Sequence, residues 1–307
     1  MAEPAFEPAN TGSDKDQLDA AIANVERYLL CSKLLAQAFQ IVEKRGIFWW
    51  SLHKLLDDPK KPVSFKDLSA FLDTQTKNDY TKHQIQVALI TLQRKEKGYI
   101  SMSNADRSAD GGQTTGSLTK GQINNATIIR LEAPFFDGIA RYGQEFREAI
   151  APDRTIRVSD LEIYNGVNEL FRNQYNNDWY KLVGEIGALG HQLGGQSKLA
   201  IEQRLSRYGN HWVTIIYLWK QHLMAKRGGP EPAFLTANQL GHQLSQYTYV
   251  PSDDLGDILS FLRNDAKLIE RSNGRASYRI AEAFHPILWE FTHRTMAIFD
   301  KFLDAIS

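Results

Sequence analysis

The side chains best suited by type and spacing to do chemistry lie on one stretch, Thr81 to Lys95. They are Lys82, His83, Gln86, Gln93 and Arg94. Ile85, Ala88, Leu89 and Leu92 recur there at helical spacing, and Thr81 is a suitable cap. A helix over this stretch turns its apolar residues inward and presents the other five outward. Ammonium, imidazole, carboxamide and guanidinium groups suit phosphates and base edges in a major groove. A solvated surface helix carries the same residue types, so the pattern marks a candidate face and leaves both readings open.

Other chemistries leave no local signature. The eight histidines are scattered, none at metal-ligating spacing with a cysteine or carboxylate motif, and the single cysteine cannot build a structural zinc site. Cys31 falls on an apolar helical pattern, which predicts a buried structural thiol rather than a nucleophile. His285 and His293 read as surface or packing residues. No Gly-x-Ser-x-Gly elbow and no dinucleotide fingerprint occur. The run from Gly111 to Ser117 superficially resembles a phosphate loop. It lacks the lysine that must follow the last glycine, and no helical pattern follows it. The expectation is a non-enzymatic protein without cofactor or metal, although a site assembled from distant residues would leave no motif.

The elements that must position the candidate face are legible on either side of it. Ser64 caps a helix carrying Phe65, Leu68 and Leu72, and a polar turn covers Asp73 to Tyr80. The Thr81–Lys95 helix ends by Gly98. Tyr99 to Met102 is a short alternating strand, and Thr127 to Leu131 is a second β-rich strand. Between them runs a Gly/Ser/Thr/Asn-rich loop, 103–125, whose composition predicts flexibility. The order helix, turn, helix, strand, loop, strand resembles a winged helix, with the loop as its wing. Arg107 and Lys120 are the wing's cations. Such a wing can enter a minor groove or be a tolerated insertion.

A second copy of the pattern begins at His211. Trp212, Ile215, Ile216, Leu218 and Trp219 predict a buried helix, ended by Gly228-Gly229-Pro230. Thr236 caps a helix with Leu240 and Leu244, and Ser252 caps another with Leu255, Ile258, Leu259 and Leu262. Two strands follow, 267–270 and 277–280, with Asn273-Gly274 at a tight hairpin turn. This also resembles a winged helix, with a short wing. Asp253, Asp254 and Asp257 suit the N-terminus of its last helix but would repel phosphates there. Arg271, Arg275 and Arg279 remain able to touch a backbone from the hairpin. Phe284 to Ile306 reads as a closing amphipathic helix.

Composition bounds the rest. The chain has 307 residues and formal net charge zero, which argues against bulk electrostatic attraction to nucleic acid. The balance is uneven: 53–130 holds 12 basic and 8 acidic residues, whereas 131–200 holds 7 and 10. The cationic excess therefore coincides with the first winged-helix candidate. No apolar run approaches the ~20 residues of a membrane span. The acidic, proline-containing N-terminus does not resemble a signal peptide, and one cysteine fits a reducing compartment. A cytoplasmic or nucleoid-associated protein is expected.

The expected fold is mainly α with small β-hairpins (α+β). Residues 1–16 are a disordered tail. The first winged-helix domain spans 17–150, with a helix from near Asp16 to about Lys44 and an aromatic core segment including Trp49 and Trp50. A helical connector spans 151–210, holding a helix from Val158 to Tyr180 and a glycine-interrupted segment, Leu182 to Leu205. The second winged-helix domain spans 211–307. Tandem winged helices resemble plasmid and phage replication initiators and some transcription regulators, which implies double-stranded DNA as partner. Neutral examples also resemble the kite subunits of chromosome-organising complexes, which clamp a partner's helices. That implies a protein partner, and a homodimer is compatible with both.

Overall fold

A computed structural model describes residues 14–39, 54–55, 58, 60–76, 81–94, 98–104, 117–152, 154–173, 180–207, 209–228, 234–247, 252–272 and 276–307. The Trp49–Trp50 segment, Arg107, Arg275, the Gly111–Gly116 run and the Asn273–Gly274 pair expected at a turn lie outside the described residues. The fold is mainly helical with two small three-stranded antiparallel sheets, as the sequence predicts.

The first sheet and its helices run β1 (Val63–Ser64), α2 (Phe65–Thr76), α3 (Lys82–Gln93), β2 (Ile100–Asn104), β3 (Thr127–Leu131) and α4 (Ala133–Ile150). The second runs α8 (Gly209–Arg227), β4 (Leu235–Thr236), α9 (Ala237–Leu244), α10 (Ser252–Asn264), β5 (Ile269–Arg271), β6 (Ser277–Ile280) and α11 (His285–Ala305). α1 (Asp14–Phe39) precedes both. α5 (Asp160–Asn173), α6 (Tyr180–Gln192) and α7 (Lys198–Arg207) lie between them in sequence.

The two sheets share one topology. Strand order is β1-β3-β2 in the first and β4-β6-β5 in the second, so the last strand is central in each. In each, a two-residue edge strand runs directly into a helix that its own last residue caps. Ser64 Oγ accepts from Asp67 N at 3.1 Å, and Thr236 Oγ1 accepts from Gln239 N at 3.3 Å. In each, the turn into the second strand has a residue at φ +56, Gly98 in one and Lys267 in the other. The next residue closes back on the helix: Tyr99 N donates to Leu92 O and Leu268 N to Leu262 O. The same turn is thus built once with glycine and once with a residue that pays a steric cost for it.

Two compact units hold these modules, each assembled from separate stretches of chain. One comprises the described residues of Cys31–Val183, Gln203–Gly209 and Lys301–Ser307. The other comprises those of Met1–Leu30, Gly184–Glu202 and Asn210–Asp300. The segment 151–210, read from sequence as one connector, is therefore divided between them.

The β1–β3 unit buries Phe65, Leu68 and Leu72 of α2, Ile85, Leu89 and Leu92 of α3, Ile129 of β3, and Phe135, Tyr142 and Phe146 of α4. Cys31 is fully buried in it beside Tyr142, so its thiol is structural. α4 meets α5 closely because Gly143 leaves room for Asp160, which pairs with Arg147. Ser159 and Glu162 form a reciprocal cap at the start of α5.

The β4–β6 unit is built on α8, whose residues from His211 to Trp219 are all buried. Its tryptophans find partners, as buried indoles require. Trp212 donates to Tyr28 Oη at 3.1 Å, and Trp219 to Thr292 Oγ1 at 2.9 Å. The predicted glycine interruption is the turn at Gly194, φ +86, between α6 and α7. A side chain on Gly195 would strike the carbonyl of Asp265.

Several boundaries move. Helix α1 already includes Asp14 to Asp16, where two carboxylates sit in its first turn, so these residues are not part of a disordered tail. α2 continues through Asp73 to Thr76 instead of ending in a turn at Asp73. β2 runs on to Asn104, so the loop starts later than its composition predicts.

Candidate nucleic-acid interface

α3 is fixed at both ends and along its inner side. Thr81 Oγ1 accepts from Gln84 N at 3.3 Å, while Gln84 Oε1 accepts from Thr81 N at 2.7 Å, a complete capping box. Ile85, Leu89 and Leu92 are buried. The residues that remain exposed are Lys82, His83, Val87 and Arg94. Lys82 holds its ammonium 5.7 Å from the centre of the Phe65 ring, a cation–π contact at the start of α2.

The end of the long loop is ordered against this helix, contrary to the flexibility its composition predicts. Leu118 and Ile123 are buried, and a short 3₁₀ turn spans Lys120–Gln122. Asn104 Nδ2 donates to Gln122 O at 2.9 Å, and Thr127 Oγ1 donates to Asn104 Oδ1 at 2.6 Å, which fastens the loop end across β2 and β3. From α3, Gln86 Nε2 donates to Ile123 O at 2.9 Å. Gln93 Oε1 accepts from Leu118 N at 3.1 Å and from Ser117 Oγ at 3.3 Å. These amides, expected at base edges, are engaged inside the unit.

The same anchoring brings Lys120 to the helix. Its Nζ lies 3.4 Å from His83 Nε2, and the two residues are 37 apart in sequence. Lys120 and His83 thus meet at the N-terminal end of α3, where Lys82 is also exposed. Arg94 lies at the other end, 11 residues beyond His83, or about 16 Å along the axis at ~1.5 Å per residue. No family model, curated protein or solved structure matches this chain.

The β4–β6 unit presents a different surface. Asp254 and Asp257 are exposed on α10. Arg271 is exposed at the end of β5, while Arg279 pairs with Glu270 and covers the Phe234 ring at 4.6 Å.

That unit also contains a cluster that sequence spacing cannot reveal, because its members are 63 positions apart. The His222 and His285 rings lie 4.0 Å apart at 40°. Trp219 stacks on His222, and Trp289 stacks on His293. Burial, the neighbouring His285 and the cations Lys226 and Arg279 push His222 down to about 4. Burial also lowers His285, whose Nε2 is enclosed without a hydrogen-bond partner. Two imidazoles sharing a tetrahedral ion through ~2.0 Å bonds have ring centres roughly 5 Å apart. At 4.0 Å these rings touch each other and leave no space for an ion between them. Among the described residues, no group of three or more His, Cys, Asp or Glu could hold a metal, and no helix is long and apolar enough to cross a membrane.

Proposed function

We propose that the chain is a non-enzymatic tandem winged-helix protein whose β1–β3 unit binds double-stranded DNA. In this reading α3 enters the major groove, and the loop end carrying Lys120 lies along the backbone. The observation that carries it is the approach of Lys120 to His83, which brings the wing's cation to the end of the helix that also carries Lys82. Arg94 stands about 16 Å away, comparable with a groove about 12 Å wide plus its phosphate walls. The two charged ends then meet opposite backbones. The β4–β6 unit, with Asp254 and Asp257 on its corresponding helix, does not read a groove and serves protein contacts. A replication initiator or transcription regulator would use such a division.

The test is fluorescence-anisotropy titration of the full chain against random duplex DNA at two salt concentrations. Binding should weaken steeply with salt. Lys120→Gln should lower the slope of log affinity against log salt by about one. Lys82→Glu combined with Arg94→Glu should abolish binding with the fold retained. Unchanged affinity in that folded double variant would refute the assignment.

A kite-like protein-interaction subunit is the second reading. It is favoured by net charge zero and by Leu193 and Leu199, which are 47% and 61% exposed. Absence of any duplex binding at low salt would transfer the proposal to it.

A further inference from the structure

The groove-facing line of α3 is short of hydrogen-bonding groups, and this limits what it can recognise. All three of its glutamines are occupied: Gln84 in the capping box, Gln86 on Ile123 O, and Gln93 on Leu118 N. Bidentate reading of adenine by a carboxamide is therefore not on offer. His83 is engaged with Lys120. Following the helix from His83 at steps of three and four gives Gln86, already engaged on Ile123, then Val87, Ile90, Thr91 and Arg94. Val87 is exposed at 37% between the two charged ends. Ile90 and Thr91 are half-buried. Thr91 Oγ1 donates to Val87 O at 3.0 Å, so its hydroxyl hydrogen is spent on the helix's own carbonyl. What this middle section offers a partner is methyl groups.

The one apolar group that a base pair shows in the major groove is the thymine C5 methyl. Resting on the DNA-binding reading above, we propose that α3 selects thymine-containing duplex by packing Val87 and Thr91 against thymine methyls. Lys82, Lys120 and Arg94 hold the flanking phosphates. Charge complementarity at the two ends fixes the occupant as a duplex, and the methyl line fixes the base.

The experiment compares an A·T-rich random duplex with the same duplex made with deoxyuridine, which lacks only that methyl. The full chain is titrated at fixed low salt. Uracil should weaken binding on the order of fourfold per contacted methyl, the loss expected for one buried methyl-sized group. Val87→Ala, which shortens the side chain, and Thr91→Ser, which keeps the hydroxyl and removes the methyl, should each narrow the difference, and the two combined should bring the two duplexes to nearly equal affinity. Circular dichroism and an unchanged salt slope confirm that both variants fold and still meet phosphate. Equal, salt-sensitive binding of the thymine and uracil duplexes by the unsubstituted protein would overturn methyl recognition and leave DNA binding standing. No binding of either duplex would overturn both.

Discussion

At the scale of single residues, Gln86 and Gln93 show why a polar helix face is ambiguous. The sequence places them with Lys82, His83 and Arg94 on one side of a helix, and nothing local says which of these will meet another part of the chain. Their partners, Ile123, Leu118 and Ser117, lie 24 to 37 positions later, in a stretch whose composition reads as flexible. Only the packing of Leu118 and Ile123 reveals that the loop end is a fixed piece of the unit. The consequence is measurable. Gln86→Ala and Gln93→Ala should each destabilise the chain by about 1 kcal/mol, the net worth of a part-buried hydrogen bond. They should weaken DNA binding indirectly, by releasing Lys120. Urea unfolding checks the first effect and the anisotropy titration the second. If either variant lowers affinity strongly while thermal and urea stability stay at the unsubstituted level, the amide acts on DNA directly.

At the scale of elements, the main helices and the longer strands could be read because their apolar residues repeat at 3.6 or 2. The strands β1 and β4 could not. Each is two residues long, and Ser64 and Thr236 already have a sufficient explanation as helix caps. The structure gives both residues two roles, capping a helix and pairing with the central strand. The turn before β2 and β5 allows a direct test of the duplicated geometry. Gly98 at φ +56 would meet only Pro134 Cγ, at 3.8 Å, if a methyl were added, so Gly98→Ala has no steric cost beyond the backbone. The left-handed conformation alone costs about 1–2 kcal/mol. Lys267 already bears that cost at the matching position. Lys267→Gly should therefore raise stability by roughly the amount Gly98→Ala lowers it, because the unfolded-state freedom of glycine offsets the relieved or imposed strain in both cases. Chemical denaturation of the two variants gives both values. Changes of the same sign would show that the two turns are not equivalent.

At the scale of the whole molecule, net charge zero makes stability near neutrality depend on individual groups more than on overall repulsion. One such group is His222. It faces His285 across 4.0 Å, with Trp219 stacked on it, Lys226 on its own helix, Arg279 on β6, and Glu282 just before α11. The fold holds it neutral down to about 4, against an ordinary value of 6.5. Between those limits the unfolded chain takes up a proton that the folded chain refuses. Folding stability is thus fully present above pH 6.5, falls as the pH drops from 6.5 towards 4, and falls no further from this group below that. Carboxylates begin to titrate at the lower end, so the wild-type curve alone does not isolate the histidine. His222→Phe keeps an aromatic ring against Trp219 and removes the proton site. The urea midpoint of this variant should decline less than that of the unsubstituted protein between pH 7 and pH 4.5, with the two curves diverging through that window. Parallel curves would mean that the imidazole pair carries no linkage, and that the enclosed Nε2 of His285 is held by something other than a neutral, proton-excluding contact.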